Sequence, residues 1–542
     1  MIECPILIVG GGPAGLNLAL NLAWWETPCL LVNDKTDTPN HPQGNSHNAR
    51  TMEHYRRLGI ANDIRHVGLP PDHCGDAIFV TRINSHEIGR IKLPTNRERL
   101  APDFPELEIT PEPTHRASQM YVEAILKKHA ASQEKIDLRF GWKLSEFKEN
   151  SDHVIAVIEN VASGELETIN CTQMVACDGA NSSVRKALGI NYEGKSGEEV
   201  DFMMGQMLSV YFHAPELYKI MKTDAPWQFH TINPDGRTSI VGLNGKSDFL
   251  AWAKIPPGMG PENIDPKSVI YAAVGQELEV EIISAKPWTA GLSLVAERYG
   301  NKKVLMAGDA VHLFTPTGGF GMNTSVDDVT NLAWKLSALY HGWGGPKLIE
   351  SYEQERRPIA ERNLAQSYAL AEIKSQIRVP KGIEDEGPAG TRVRKKLGSR
   401  FMTELAEEYK CIGIQLGSQY IGSPLIENDG SEPPLDDPYV FSPSACPGCR
   451  SPHVWMEDGS ALFDHFGKWF TLLCFDDNTA VSKIKIAASK SNVPLKVLTA
   501  PKNIKDIYRT ELVLIRPDQY VAWRGDGNYL HPEKLLKKVI GH

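Results

Sequence analysis

Three stretches of this chain carry residue types and spacings that could do chemistry. The richest runs from Val304 to Asn323. A short apolar run ends in Gly308-Asp309-Ala310-Val311-His312, and Pro316-Thr317-Gly318-Gly319-Phe320-Gly321-Met322-Asn323 follows. An ionised Asp309 can only accept hydrogen bonds, which suits a polyol hydroxyl. The glycines let the backbone lie against a flat ligand with no Cβ in the way. Beyond the loop, Val326, Val329, Leu332, Ala333, Leu336 and Leu339 recur at helical spacing. Such a helix aims free N–H groups and a positive dipole end back at the loop. A ligand that becomes negative there is stabilised.

The second stretch is Gly10-Gly11-Gly12-Pro13-Ala14-Gly15, following an apolar strand from Cys4 and opening a helix that runs to about Trp24. Gly10, Gly12 and Gly15 give the spacing that permits a tight turn, close approach of a pyrophosphate and close helix–strand packing. Pro13 and Ala14 begin the helix. A second strand, Cys29 to Val32, leads to Asp34 and Lys35, where an acid would meet the adenosine ribose. In this βαβ setting the pattern predicts a dinucleotide site. The third stretch, Ala176-Cys177-Asp178-Gly179, ends a strand and precedes a helix at Ser182-Ser183. Asp178 can bind backbone donors there and support the cofactor indirectly.

Single residues extend this set. Arg50 falls in the first turn of a helix that starts near Asn48, where a cation opposes the dipole. It is therefore expected to face an anion, the pyrophosphate. Gln119 falls in the first turn of a helix over Ala117 to Ala131.

These residues need elements to position them. Strand-rich segments over 73–115 and 195–290, with a hairpin around Ile83-Asn84-Ser85-His86, are expected to form a sheet separate from the dinucleotide fold. Ser351 to Arg378 reads as a long helix interrupted at Pro358. Residues 379–400 mix Pro, Gly and charge and read as a linker. The tail has strands at Trp469 to Phe475, Leu495 to Thr499, Glu511 to Ile515 and Gln519 to Trp523, with helices at Asp477 to Ser491 and Glu533 to Ile540. The reading is thus α/β plus α+β: residues 1–378 combine a dinucleotide domain with the interleaved sheet, and 401–542 form a small α/β domain.

The chain of 542 residues has a formal net charge of -9 and no block of like charges, which argues against a nucleic-acid surface. No run approaches the ~20 apolar residues of a membrane helix. A soluble, cytoplasmic protein is expected. The nine cysteines are an odd count, and Cys29, Cys171, Cys177 and Cys474 lie in apolar runs, as reduced buried thiols do. Cys446-Pro-Gly-Cys449 lacks a second pair, so no metal site is expected.

The three motifs in this order resemble those of aromatic-ring flavoprotein monooxygenases, in the subgroup of phenol, chlorophenol, resorcinol and polyketide hydroxylases. Pro447-Gly448-Cys449-Arg450-Ser451-Pro452-His453 and the run from Leu514 to Arg524 resemble that subgroup's thioredoxin-like C-terminal domain. The resemblance implies FAD in a Rossmann-like domain, NADH or NADPH as a transient donor, O2, and a small phenolic substrate. It also implies oxygen transfer through a C4a-hydroperoxyflavin, and a homodimer is expected. By residue, it implies Asp34 at the ribose, Arg50 at the pyrophosphate, Gln119 on the flavin side and the backbone of Leu144 at adenine. It places Asp309 at the ribityl chain, Gly319, Gly321, Met322 and Asn323 at the pyrimidine edge, and Pro316 at the oxygen-reacting face. Asn45 stands where phenol hydroxylase carries an acid, so the base is open; His47, His230 and Tyr211 are candidates by location. A flavin halogenase shares this fold, but Ala251-Trp252-Ala253-Lys254-Ile255-Pro256 lacks the two tryptophans at the spacing halogenases carry. Another FAD oxidoreductase of the same fold is the remaining alternative.

Overall fold

A computed structural model describes residues 1–196, 204–222, 224–475, 479–501, 504–526 and 531–542. The expected helix start at Asp477 lies outside these residues, as do positions 197–203 of the expected strand-rich segment. The first sheet is built on Ile2–Val9, whose apolar residues 6–9 are buried on both faces. It pairs in parallel with Cys29–Asn33 on one side and Leu166–Ala176 on the other. Ile136–Phe140 extends one edge in parallel. The antiparallel Val154–Asn160 and Trp142–Glu149 extend the other, and Val304–Met306 pairs with the end of Leu166–Ala176. Helices Pro13–Trp24 and Phe320–Tyr340 pack against each other beside this sheet. This places the ends of three parallel strands, and the loops that leave them, along one edge.

The second sheet has seven strands in the order Glu281–Ala290, Gly205–His213, Asp248–Lys254, Gly236–Gly242, Gln228–Asn233, Ala77–Val80, Glu87–Ile91. Its pairings are antiparallel except Gln228–Asn233 with Ala77–Val80, so it is the mixed sheet expected from 73–115 and 195–290. One face carries Phe212, Phe229 and Phe249 into a core of its own. The other presents Tyr211, Leu250 and Trp252, together with Trp227 and Leu69, toward the first domain.

The third sheet orders Leu495–Thr499, Phe470–Cys474, Leu512–Ile515, Val521–Gly525, the first pair parallel and the others antiparallel. With helices Thr479–Lys490 and Pro532–Val539 it makes the expected thioredoxin-like domain.

Two organisational expectations change. Residues 387–400 of the expected linker belong to a helix, Gly387–Glu404, which runs into the segment expected for the C-terminal domain; its Phe401 packs with Phe79, Ile88 and Ile91 of the second sheet. Its Gly398 permits this, because a Cβ there would sit 2.0 Å from the Ile88 carbonyl oxygen. The helix Lys347–Ser375 also runs through Pro358 unbroken. Buried Glu355, Arg356, Ile359 and Ala360 flank the proline and hold the helix in place by tertiary contacts. That packing outweighs the roughly 3 kcal/mol cost of an interior proline.

Candidate active site

The first strand delivers the chain to Gly10, whose φ of +110° and contact with Cys177 exclude any side chain: a Cβ would lie 2.2 Å from the Cys177 oxygen. Gly15 is equally tight, with a would-be Cβ 1.9 Å from the Gly10 oxygen. Gly12 is the opposite case, since nothing lies within 4 Å of a Cβ built there. It opens the helix Pro13–Trp24 with no side-chain cap. The leading N–H groups therefore face open space, which is what an anion needs.

Val304–Met306 feeds the second loop. Gly308 sits where a Cβ would meet Ala14 at 3.0 Å and Ser325 Oγ at 3.2 Å, so it wedges between the starts of the two helices. Gly319, in the left-handed region at φ +68°, opens Phe320–Tyr340, again with no side-chain cap. Two glycine-led helix starts thus converge on one groove. Gly321 and Met322 form the first turn. Asn323 locks it: its amide donates to the Ser46 carbonyl at 2.9 Å, and its Oδ1 accepts from the Asn48 N–H at 2.9 Å. Pro316 is exposed at the loop's outer lip.

Asp309 lines this groove. Solvent reaches its side chain, yet protein crowds it closely enough that desolvation raises its carboxyl above the ordinary range, with His312 opposing. A carboxylate held like this gains from hydroxyl donors. Asp178 accepts from the Ser183 and Val184 N–H groups, at 2.8 and 3.3 Å, and so caps the helix Ser183–Ala187; its other oxygen is buried without a partner. It supports the turn beneath Gly10 rather than reaching into the groove.

At the ribose end the strand's alternation matters. Asn33, not Asp34, faces the glycine turn, where its Oδ1 accepts from the Gly11 N–H at 3.0 Å. Asp34 points outward and pairs with exposed Lys35 at 2.8 Å. Leu144 lies where the Trp142–Glu149 ladder slips register, partly buried. Gln119 donates to Glu123 at 2.7 Å, and its backbone N–H to the Gly44 carbonyl at 2.7 Å. Burial pushes buried Glu123 up to about 7, against the Gln119 hydrogen bond.

Arg50 is not at the groove. Its guanidinium donates to Glu53 at 2.8 Å, the Gln519 side chain at 2.7 Å and the Asp518 carbonyl at 2.6 Å, and its side chain is 4% exposed. Arg450 pairs with the same Glu53. The first-turn cation is neutralised by Glu53 of its own helix and bonded to neutral acceptors of the C-terminal domain, instead of facing a pyrophosphate. His47 is also corrected. It is fully buried against Tyr55, donates to the Ala117 carbonyl at 3.2 Å, and is pushed down to about 4 by burial. It faces the core and cannot serve a substrate.

His230 and Tyr211 stand on the second sheet. Tyr211 packs in the aromatic cluster with Trp227, Leu250 and Leu69. His230 stacks on Phe79 at 4.8 Å and contacts the Tyr409 hydroxyl at 3.4 Å; that hydroxyl donates to Gln228 at 2.9 Å. Burial holds His230 well below the ordinary imidazole range, with Lys374 and Arg237 adding to it. Tyr409 is a residue no local motif announces. It joins the site because the helix Gly387–Glu404 carries the chain back over the second sheet. Its neighbour Glu408 accepts from the Gly318 N–H at 3.1 Å and pairs with Lys374. Among the described residues no cluster of His, Cys, Asp and Glu could hold a metal, and no helix is long and apolar enough to cross a membrane.

The groove fits FAD in its donor set: uncapped helix starts just after Gly12 and Gly319, an accessible carboxylate at Asp309, and glycine backbone between them. Comparison with known proteins decides the matter. Residues 3–367 match the family described as FAD binding domain, and residues 444–542 match the one described as aromatic-ring hydroxylase, C-terminal. This chain belongs to the FAD-dependent aromatic-ring hydroxylases. The enzyme is 31% identical over 525 residues to the FAD-dependent monooxygenase opdD of Penicillium oxalicum, covering 91% of this chain and 98% of that one. Its fold superposes on the rebeccamycin biosynthetic enzyme RebC with reduced flavin at a TM-score of 0.90 and 33% identity, covering 100% of this chain and 99% of the other. A ternary complex of aklavinone-11 hydroxylase with FAD and aklavinone gives a TM-score of 0.83 at 25% identity, again over 100% and 99%.

Proposed function

We propose that this enzyme hydroxylates a phenolic aromatic compound, with NADH or NADPH as electron donor and O2 as oxidant. One observation carries the reading. Two uncapped, glycine-led helix starts meet at Gly308 and share a groove with an accessible Asp309, opposite an aromatic sheet face. Bound there, FAD supplies the activation of O2 and the transfer of one oxygen to the ring.

The chain's own residues do the rest. Ala14 and Gly15 would hold the pyrophosphate on free N–H groups, and Asp309 would accept from the ribityl hydroxyls. The first turn from Gly319 to Asn323 would face the pyrimidine edge, where its dipole favours negative charge. Pro316 would stand beside the reacting face. Asn33 and Leu144 would meet the adenosine, and Asp178 would brace the turn beneath. Tyr211, Trp252 and Trp227 would pack a flat substrate and exclude water. His230, Tyr409 and Gln228 form a hydrogen-bonded chain in this wall that would take up a phenol proton. By this reading residues 1–378, joined by Tyr409, carry cofactor and substrate, and the C-terminal domain braces them.

The test is direct. Purified protein should release FAD, and mono- and dihydroxybenzenes and fused-ring phenols should be screened for stimulated NAD(P)H oxidation with hydroxylated product. Release of FMN alone, or no flavin at any stage, overturns the reading.

A further inference from the structure

Arg116 is the most unusual charge beside the groove. It lies on the short strand His115–Arg116, directly across from Ser46, whose carbonyl is the one Asn323 holds. Gly319 is equally close, since a Cβ there would meet Ser46 Cβ at 3.0 Å. Arg116 is therefore one strand away from the pyrimidine end of the flavin groove, not at the Gly12 end that suits phosphates. Its guanidinium carbon sits 4.2 Å from the centre of the Trp227 ring. Trp227 is buried in the aromatic wall and meets Tyr409 edge-on at 6.4 Å.

Among the described residues, no carboxylate or carbonyl accepts a hydrogen bond from this guanidinium. The two carboxylates whose charge acts on it are committed elsewhere: Glu106 accepts from Arg99 at 3.5 Å, and Glu408 pairs with Lys374. Burial lowers Arg116 to about 10, and Arg99 adds to this; Tyr409, Glu408 and Glu106 oppose it. The Arg116 side chain keeps some contact with solvent, so it is open to a ligand, and a cation this crowded by protein gains from an ionic partner. Stacking on an indole face recovers only part of the cost of desolvation. The fork of donors remains free, in the geometry that takes a carboxylate bidentately.

We propose that Arg116 binds an anionic substituent, a carboxylate, of the aromatic substrate, so that the enzyme prefers aromatic acids to their neutral esters. The ring would lie along Trp227 and Tyr211, and the acid would close on the guanidinium. This rests on the hydroxylase reading of the same groove, and the test separates the two. FAD-loaded enzyme is titrated by calorimetry with 3-hydroxy-2-naphthoate and with its methyl ester, for wild type, Arg116→Gln and Arg116→Lys. The wild type should bind the acid more tightly than the ester. Arg116→Gln should lose about 10- to 100-fold in affinity for the acid, the usual range for a charge-assisted bond, and little for the ester. Arg116→Lys should recover part of the loss, and FAD affinity should be the same in all three. Equal acid and ester binding by the wild type, or an acid preference that survives Arg116→Gln, overturns the proposal. Neither outcome touches hydroxylation of neutral phenols, which is scored separately by product formation. Weakened FAD binding in Arg116→Gln would assign the cation to the flavin and likewise overturn it.

Discussion

Arg50 gives the sharpest separation between what a motif suggests and what the fold does. Replacing it with alanine removes three buried hydrogen bonds: one to Glu53 within the helix Ala49–Arg57, and two, to Gln519 and Asp518, that tie this helix to the C-terminal domain. Breaking a buried ion pair by deleting one partner costs roughly 3–5 kcal/mol. Here the loss is smaller, because Glu53 keeps Arg450 and Asp327 keeps Arg356. About 2–4 kcal/mol remains, or some 4–8 °C of melting temperature at roughly 2 °C per kcal/mol for a large domain. The assay is paired: thermal unfolding of the apoprotein, and the FAD dissociation constant by fluorescence quenching. Stability should fall while FAD affinity changes by less than about threefold, since the guanidinium is not at the groove. The variant should also shift the acid limb. Burial alone would raise Glu53, but Arg450 and Arg50 pull it down to about 2. A depressed folded value contributes stability above the unfolded value near 4.5 and loses it as pH falls toward 2. The wild type should therefore lose stability across that window more steeply than Arg50→Ala. A tenfold loss of FAD affinity with unchanged melting would return Arg50 to the pyrophosphate and refute this reasoning.

Gly10→Ala and Gly12→Ala should fail differently. The first meets the Cys177 carbonyl and should fold poorly, whereas the second meets no protein atom and should melt normally as apoprotein while losing FAD, as circular dichroism and flavin content will show. The double variant Cys446→Ser, Cys449→Ser should keep full hydroxylation, because both thiols are buried and free in the C-terminal domain and burial pushes Cys449 up to about 12; loss of product with full FAD content would assign the pair a redox role. Tyr409→Phe should slow hydroxylation about tenfold or more and change the pH dependence of kcat, while His47→Gln leaves the profile's shape alone. An unchanged profile in Tyr409→Phe would remove it from the proton path.

The sequence reached the parts of this molecule that are written locally. Apolar runs ending in glycine fixed both groove loops, because a positive φ or a clash-free approach leaves no other residue possible. The C-terminal strands were legible because they are short apolar runs between turns. Arg50 was not, because its partners Asp518 and Gln519 lie more than 460 positions away and nothing in the first turn says which way the side chain leaves. Asn33 was obscured by Asp34 beside it: in a strand, adjacent residues point to opposite sides, and a one-residue error exchanges them. Pro358 read as a break because helix propensity is local, while the packing that keeps the helix straight is not. Tyr409 and Arg116 carry no motif at all. They acquire meaning only when the helix Gly387–Glu404 and the strand His115–Arg116 are placed around Trp227.

The central claim is that FAD occupies the groove between the Gly12 and Gly319 helix starts, with Asp309 as its ribityl acceptor. Asp309→Ala tests it most directly, through the FAD dissociation constant and the product formed per NAD(P)H consumed. A lost charge-assisted hydrogen bond predicts about 1.5–3 kcal/mol weaker binding, or roughly ten- to 150-fold. Melting of the apoprotein should be nearly unchanged, because the strand Val304–Met306 and the helix Phe320–Tyr340 keep their buried contacts. The FAD that still binds should sit less firmly, so NAD(P)H oxidation should uncouple from product more than it slows. Unchanged affinity together with unchanged coupling would contradict the claim and place the flavin elsewhere.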